Sequence, residues 1–150
     1  MRATLFLRIA AVLTFIHAAL HTIGGVFGGA APGVQETVVT AMKVNQFPVM
    51  GITRSYWDFY MGLGLGATVF MTMEAIVLWQ LGSLAKTEGL RLRPIVTTLL
   101  VGWLAMAVNS YRYFFAAPAI FEILIALCLG LAIASARQGG AAGVDRRAVA

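Results

Sequence analysis

Apolar residues fill four long runs of the chain, and polar residues collect at the ends of those runs. The runs cover about 5–28, 57–81, 94–113 and 118–136. Each is close to the roughly 20 residues a helix needs to cross a hydrocarbon core. The pattern predicts an all-α fold, a four-transmembrane-helix bundle forming a single domain over 1–136. Residues 137–150, with three Gly and three Arg, read as a disordered cytoplasmic tail.

The connection between the first two runs is long for a small bundle, so it should hold structure of its own. Pro32 suits a first helical turn, and Val34, Val38, Ala41 and Met42 then share one face against Gln35, Glu36, Thr40 and Lys43. This spacing predicts a short amphipathic helix in the first, outer loop, lying on the membrane surface and ending before Pro48. It would serve as a lid. The first run also imitates a signal peptide, with Gly29-Ala30-Ala31 as the cleavage site. Pro32 after the cut and His17 and His21 within the run oppose that reading, and a retained helix is expected.

Composition carries the membrane reading further. The chain is 60% hydrophobic and 11% charged, with mean hydropathy +0.85, whereas soluble domains run near a quarter charged. A net charge of +5 does not imply nucleic acid, because the bases sit at span ends rather than in an aromatic-interleaved stripe. With the N-terminus inside, Arg2, Arg8, Lys86, Arg91, Arg93, Arg137, Arg146 and Arg147 lie on the inner side. Lys43, Arg54 and Arg112 lie on the outer side. That eight-to-three split predicts both termini in the cytoplasm. Arg outnumbers Lys nine to two and Ala and Gly abound, which points to a GC-rich bacterium and its inner membrane. The one cysteine, Cys128, sits in an apolar run, so Cys-x-x-Cys redox chemistry is excluded and a small buried hydrophobe is expected.

The second run begins in a cluster, Arg54-Ser-Tyr-Trp-Asp58-Phe-Tyr60, followed by the glycine-spaced Met61-Gly-Leu-Gly-Leu-Gly66. Trp and Tyr favour the lipid–water boundary, and small residues let helices approach closely. The glycines lack the strand and Lys of a phosphate loop, so they read as packing residues. At 1.5 Å per residue, His17 and His21 lie about 18 and 24 Å along span 1. Asn109 and Arg112 lie about 22 and 27 Å along span 3, and Glu122 about 6 Å into span 4. With Asp58 opening span 2 from outside, all four helices place polar groups in one outer layer.

Helical spacing assigns four inward stripes: Arg8, Ala11, Thr14, His17, His21, Gly24 and Gly28; Asp58, Gly62, Leu65 and Gly66; Gly102, Ala105, Asn109 and Arg112; Glu122, Ala126 and Gly130. Intramembrane ionisable groups face the interior or a wet cavity. Glu74 falls about 160° around the helix from Asp58, on another seam, where Arg8 or a subunit contact in a homo-oligomer would meet it.

The expected ligand-binding set is therefore His17, His21, Arg54, Asp58, Asn109, Arg112 and Glu122. His17 and His21, one turn apart, present two imidazoles on one face and with a carboxylate would hold a metal. They cannot take opposite axial positions on one haem iron. Arg112 pairs with Asp58 or Glu122 in a structural ion pair, or with Arg54 clamps an anionic headgroup while His21 handles a proton. The aromatic clusters at 56–60 and 111–115 read as interfacial belts.

Arg54-Ser-Tyr-Trp-Asp-Phe-Tyr-Met-Gly-Leu-Gly64, with Tyr113-Phe-Phe-Ala-Ala-Pro118 and its apolar continuation, resembles a family of small four-span bacterial integral membrane proteins of unassigned function. The resemblance implies the span count and no mechanism. The polar layer points to binding of a membrane lipid or another lipophilic, quinone-like molecule by its polar head. The alternatives are a membrane-embedded enzyme using His and carboxylate chemistry and a structural accessory subunit of a membrane complex.

Overall fold

In the computed structural model the backbone is described for residues 2–148 and side chains for residues 2–136. The expected disordered tail, 137–150, falls beyond the residues whose side chains are described. Helix α1 covers Arg2–Leu20 and runs on as a π-helical segment, His21–Val26. Helix α2 covers Val34–Val44, strands β1 and β2 cover Gln46–Val49 and Ile52–Ser55, and α3 covers Tyr56–Glu88. Helices α4, Arg93–Tyr113, and α5, Ala116–Ala148, follow. Among the described residues four segments are long and apolar enough to cross a membrane: Arg2–Val26, Tyr56–Glu88, Arg93–Tyr113 and Ala116–Ala136. The fold is the expected all-α four-helix bundle with a short amphipathic helix between the first two spans, and its composition is that of a multi-pass membrane protein.

The end of the second span and the content of the first connection differ from the sequence reading. Helix α3 runs to Glu88 rather than ending near Leu81. Gly82 lies inside it, and a Cβ there would lie 3.2 Å from Arg8 Cγ and 3.4 Å from the Thr4 carbonyl oxygen. The glycine is a crossing point for α1 and not a terminator. The second difference is a β-hairpin in the long connection, with Val49 paired to Ile52 around a two-residue turn. Met50 and Gly51 both have positive φ, 48° and 84°, the signs a type I′ turn requires. Gly51 takes that conformation without steric cost; Met50 does not, and its side chain is fully exposed.

The chain divides into two compact units, Met1–His17 with Met71–Ala150, and Ala18–Phe70. The core of the first is Leu7, Ala10, Ala11, Leu78, Leu81, Val96, Trp103, Ile125, Ala126, Leu129 and Ala132. Four of these are Ala. In lipid the hydrophobic effect gives helices little reason to associate, so close packing of small residues has to hold them together. In the second unit Phe47 of β1 packs on Tyr56 and Phe59 of α3, with ring centroids 4.8 and 6.0 Å apart, and this fixes the hairpin to the start of α3.

Candidate functional site

In the first unit the placement of polar groups follows from which face of α4 is buried. The buried positions are Val96, Trp103, Ala107 and Ser110, spaced by seven, four and three residues. Trp103 marks this face: it is 4% exposed, and its indole N–H finds a hydrogen-bond acceptor only on the packed side. Gly102, Ala105, Asn109 and Arg112, expected to face inward, are exposed. Small residues on that stripe suggested a helix contact, but the bulk of Trp103 outweighs them.

The buried face brings two carboxyl groups into hydrogen bonds. Trp103 Nε1–H donates to Glu74 Oε1 at 2.7 Å, and Ser110 Oγ–H donates to Glu122 Oε1 at 2.8 Å. Glu122 is 2% exposed, and its second oxygen, Oε2, is buried without a hydrogen-bond partner. His17 packs its ring against Trp103 and Phe121, with centroids 6.1 and 5.5 Å away. Thr14, one turn earlier, is fully buried and donates its hydroxyl to the Ala10 carbonyl. These contacts make two buried polar clusters in the first unit, Glu74 with Trp103 and His17, and Glu122 with Ser110.

Arg112 takes no part in it. Its guanidinium lies 6.0 Å from the centroid of the adjacent Tyr113 ring, and the side chain is exposed. Among the described residues it forms no ion pair; Arg91 and Glu88, 3.3 Å apart at the surface, do. The expected bond from Arg112 to a carboxylate is absent for the same reason that Asn109 is exposed, the rotation of α4 set by Trp103. Glu74, expected to meet Arg8, is bonded to Trp103 instead.

In the second unit the expected residues have local structural partners. Asp58 Oδ2 accepts hydrogen bonds from the Ser55 N–H at 2.7 Å and the Ser55 hydroxyl at 3.0 Å, and the Asp58 N–H donates back to Ser55 Oγ at 3.2 Å. This reciprocal arrangement is a capping box at the start of α3, with Asp in the place of the usual Glu or Gln. Ser-x-x-Asp before an apolar run was the sequence signal for it. Arg54 is exposed and donates to the Thr53 carbonyl at 3.1 Å. His21 Nε2 lies 3.1 Å from the Gly64 carbonyl oxygen. Beside it Thr22 and Thr68 share a hydrogen bond of 2.9 Å, and the Tyr60 hydroxyl donates to the Gly25 carbonyl at 2.8 Å. The π-helical turn places these groups. Its i to i+5 bond from Phe27 N–H to the Thr22 carbonyl widens the helix at Gly24-Gly25, where glycine weakens the regular α-helix.

Close approach in this unit occurs at Gly64, where a Cβ would lie 3.0 Å from Val26 Cγ2. Gly62 and Gly66, the glycines on the expected inward stripe, face open space. No three His, Cys, Asp or Glu side chains come together to hold a metal among the described residues. Ser110 and Trp103 were the residues missed from sequence. Their spacing of seven, with Ala107 between them, was the available signal. Comparisons with protein-family models, with curated proteins and with solved structures give no match.

Proposed function

We propose that this chain is a bacterial inner-membrane protein, with both termini cytoplasmic, that binds a lipophilic molecule with a polar head, lipid-like or quinone-like, at the polar group around Glu122. The observation that carries this reading is the unpartnered Oε2 of Glu122 in a residue only 2% exposed. A buried carboxyl oxygen without a partner costs about 1–3 kcal/mol, and a purely structural residue would gain by losing it. A ligand hydroxyl or carbonyl would supply the missing bond. Intramembrane ionisable groups mark functional sites by default, and Ser110 holds this one in a single orientation. Ile123 and Leu124, next to Glu122 on α5, are exposed, so a lipophilic ligand would approach from the lipid side. Orientation rests on the distribution of bases, and the bacterial origin on the resemblance and composition described above.

The test is binding of a short-chain quinone and of a lysophospholipid to detergent-purified protein, by calorimetry, with Glu122→Gln beside the wild type. Gln keeps the shape and the Ser110 bond but changes the free atom from a carboxyl oxygen to an amide nitrogen. The proposal expects one ligand class to bind at micromolar or better affinity, and Glu122→Gln to weaken it about tenfold or more while stability changes little. Undiminished binding by Glu122→Gln, or binding of neither ligand, overturns it. A Glu122→Leu variant more stable than the wild type, with neither ligand bound by the wild type, would identify a lock within an accessory subunit.

A further inference from the structure

Arg8 stands outside the polar group just described. It lines a surface groove of about 250 Å³ together with Ile9, Val12, Leu13 and Trp79. Its guanidinium carbon lies 4.8 Å over the Trp79 ring, which holds the charge at the groove wall. The Arg8 Nε is buried and has no hydrogen-bond partner. Among the described residues no carboxylate pairs with Arg8, and Glu74, the acid expected to reach it, is bonded to Trp103. The groove is therefore apolar apart from one cation that lacks an anion.

Depth says what kind of anion fits. Arg8 is six residues from the first helical residue, about 9 Å along α1, which is the region where phosphate headgroups meet hydrocarbon. Trp79, whose ring it faces, is the residue type enriched at that boundary. Ile9 and Val12, on the groove and exposed, continue along α1 towards the membrane interior.

We propose that this groove is a binding site for an anionic phospholipid, with the phosphate on Arg8 and part of one acyl chain along Ile9, Val12 and Leu13. Charge complementarity selects the headgroup: a guanidinium donates two parallel charge-assisted bonds to a phosphate, and these are strongest where water is scarce. A zwitterionic lipid offers the same phosphate, but its choline brings a second cation near Arg8. A lipid with a net negative charge is preferred. The site is separate from Glu122, and Glu122→Gln leaves it unchanged.

The experiment is native mass spectrometry of protein released from mixed micelles containing equal phosphatidylglycerol and phosphatidylcholine. The wild type should retain phosphatidylglycerol about tenfold over phosphatidylcholine, Arg8→Gln should lose the preference, and Arg112→Gln, removing an exposed charge elsewhere, should keep it. Equal retention of the two lipids by the wild type overturns the proposal. So does an unchanged preference in Arg8→Gln, or an equal loss in Arg112→Gln. Should Arg8→Gln fail to fold, quenching of tryptophan fluorescence by brominated acyl chains decides without it. Brominated phosphatidylglycerol should quench the wild type more than brominated phosphatidylcholine, and the difference should vanish in Trp79→Phe. Equal quenching of the wild type by the two lipids, or a difference that persists in Trp79→Phe, rules the groove out.

Discussion

Ser110 on α4 and Glu122 on α5 are joined by a 2.8 Å hydrogen bond across the short turn between the two helices, and both are almost wholly buried. The bond ties α4 to α5 at a defined rotation of each, the rotation that also puts Arg112 outside. Ser110→Ala should leave both oxygens of Glu122 unpartnered and cost about 1–3 kcal/mol, read as a lower unfolding midpoint in detergent. Adding Glu122→Leu should recover most of the loss, since removing both partners of a buried bond is far less costly than removing one. Additive losses in the double variant would mean that the two side chains do not interact.

Trp103 anchors the same face through Glu74, so the ring and its N–H can be tested separately. Trp103→Phe keeps much of the packing and removes the donor to Glu74 Oε1, and about 1–3 kcal/mol of stability should go with it. Glu74→Gln keeps an acceptor for the indole and should be milder than Trp103→Phe. Thermal unfolding of the two variants in one detergent makes the comparison. A Glu74→Gln variant as damaged as Trp103→Phe would show that Glu74 has a further partner.

Packing glycines were identified by pattern, but only some are used. The run Gly62-Leu-Gly-Leu-Gly66 offers small residues at every second position, and periodicity alone selected the Asp58, Gly62, Gly66 stripe. The residue that meets a neighbour is Gly64, against Val26, and further along α3 it is Gly82, against Arg8 and Thr4. Gly82→Leu should therefore cost about 1–3 kcal/mol by overpacking, while Gly66→Leu should change the midpoint little. The opposite ranking would move the helix contact to the Gly66 face.

These cases show what the sequence could reveal and what it could not. Span number and the amphipathic helix follow from hydropathy and 3.6-residue spacing; on the expected stripe of α1, Ala11, Thr14 and His17 are buried, whereas Gly24 and Gly28, beyond the start of the π-helical turn, are exposed. The rotation of α4 was harder, because two stripes competed: Gly102, Ala105, Asn109, Arg112, small or polar throughout, and Trp103, Ala107, Ser110, which includes a bulky aromatic. A rule that small residues mark contacts favours the first stripe. Burial of the largest apolar ring favours the second, and α4 follows it. The hairpin was hidden because its strands are four residues each and carry Pro48, which usually marks an edge or a turn.

The distribution of bases predicts on which side each loop can be labelled. Single-cysteine variants in a Cys128→Ser background, at Thr40 in α2 and at Lys86 near the end of α3, should react on opposite sides of the membrane with an impermeant thiol reagent in intact cells. Thr40 should be labelled from outside and Lys86 only after lysis, because eight of the eleven bases then lie inside. Labelling of both from outside would be incompatible with one crossing by α3.

The last prediction concerns Asp58, which the outer-layer argument places in a ligand site and the structure places in a helix cap. The two roles make different demands. As a cap, Asp58 matters through its bonds with Ser55, so Ser55→Ala and Asp58→Ala should each lower the unfolding midpoint, the former by about 1 kcal/mol. The double variant should lose little more than either single, because each deletion already opens the box. The effect should be local, with faster hydrogen exchange in the first turn of α3 and none of the change in ligand affinity expected of Glu122→Gln. Asp58→Asn, which still offers an oxygen to the Ser55 N–H, should restore most of the midpoint. A loss of ligand binding in Asp58→Asn at unchanged stability would return Asp58 to the binding site.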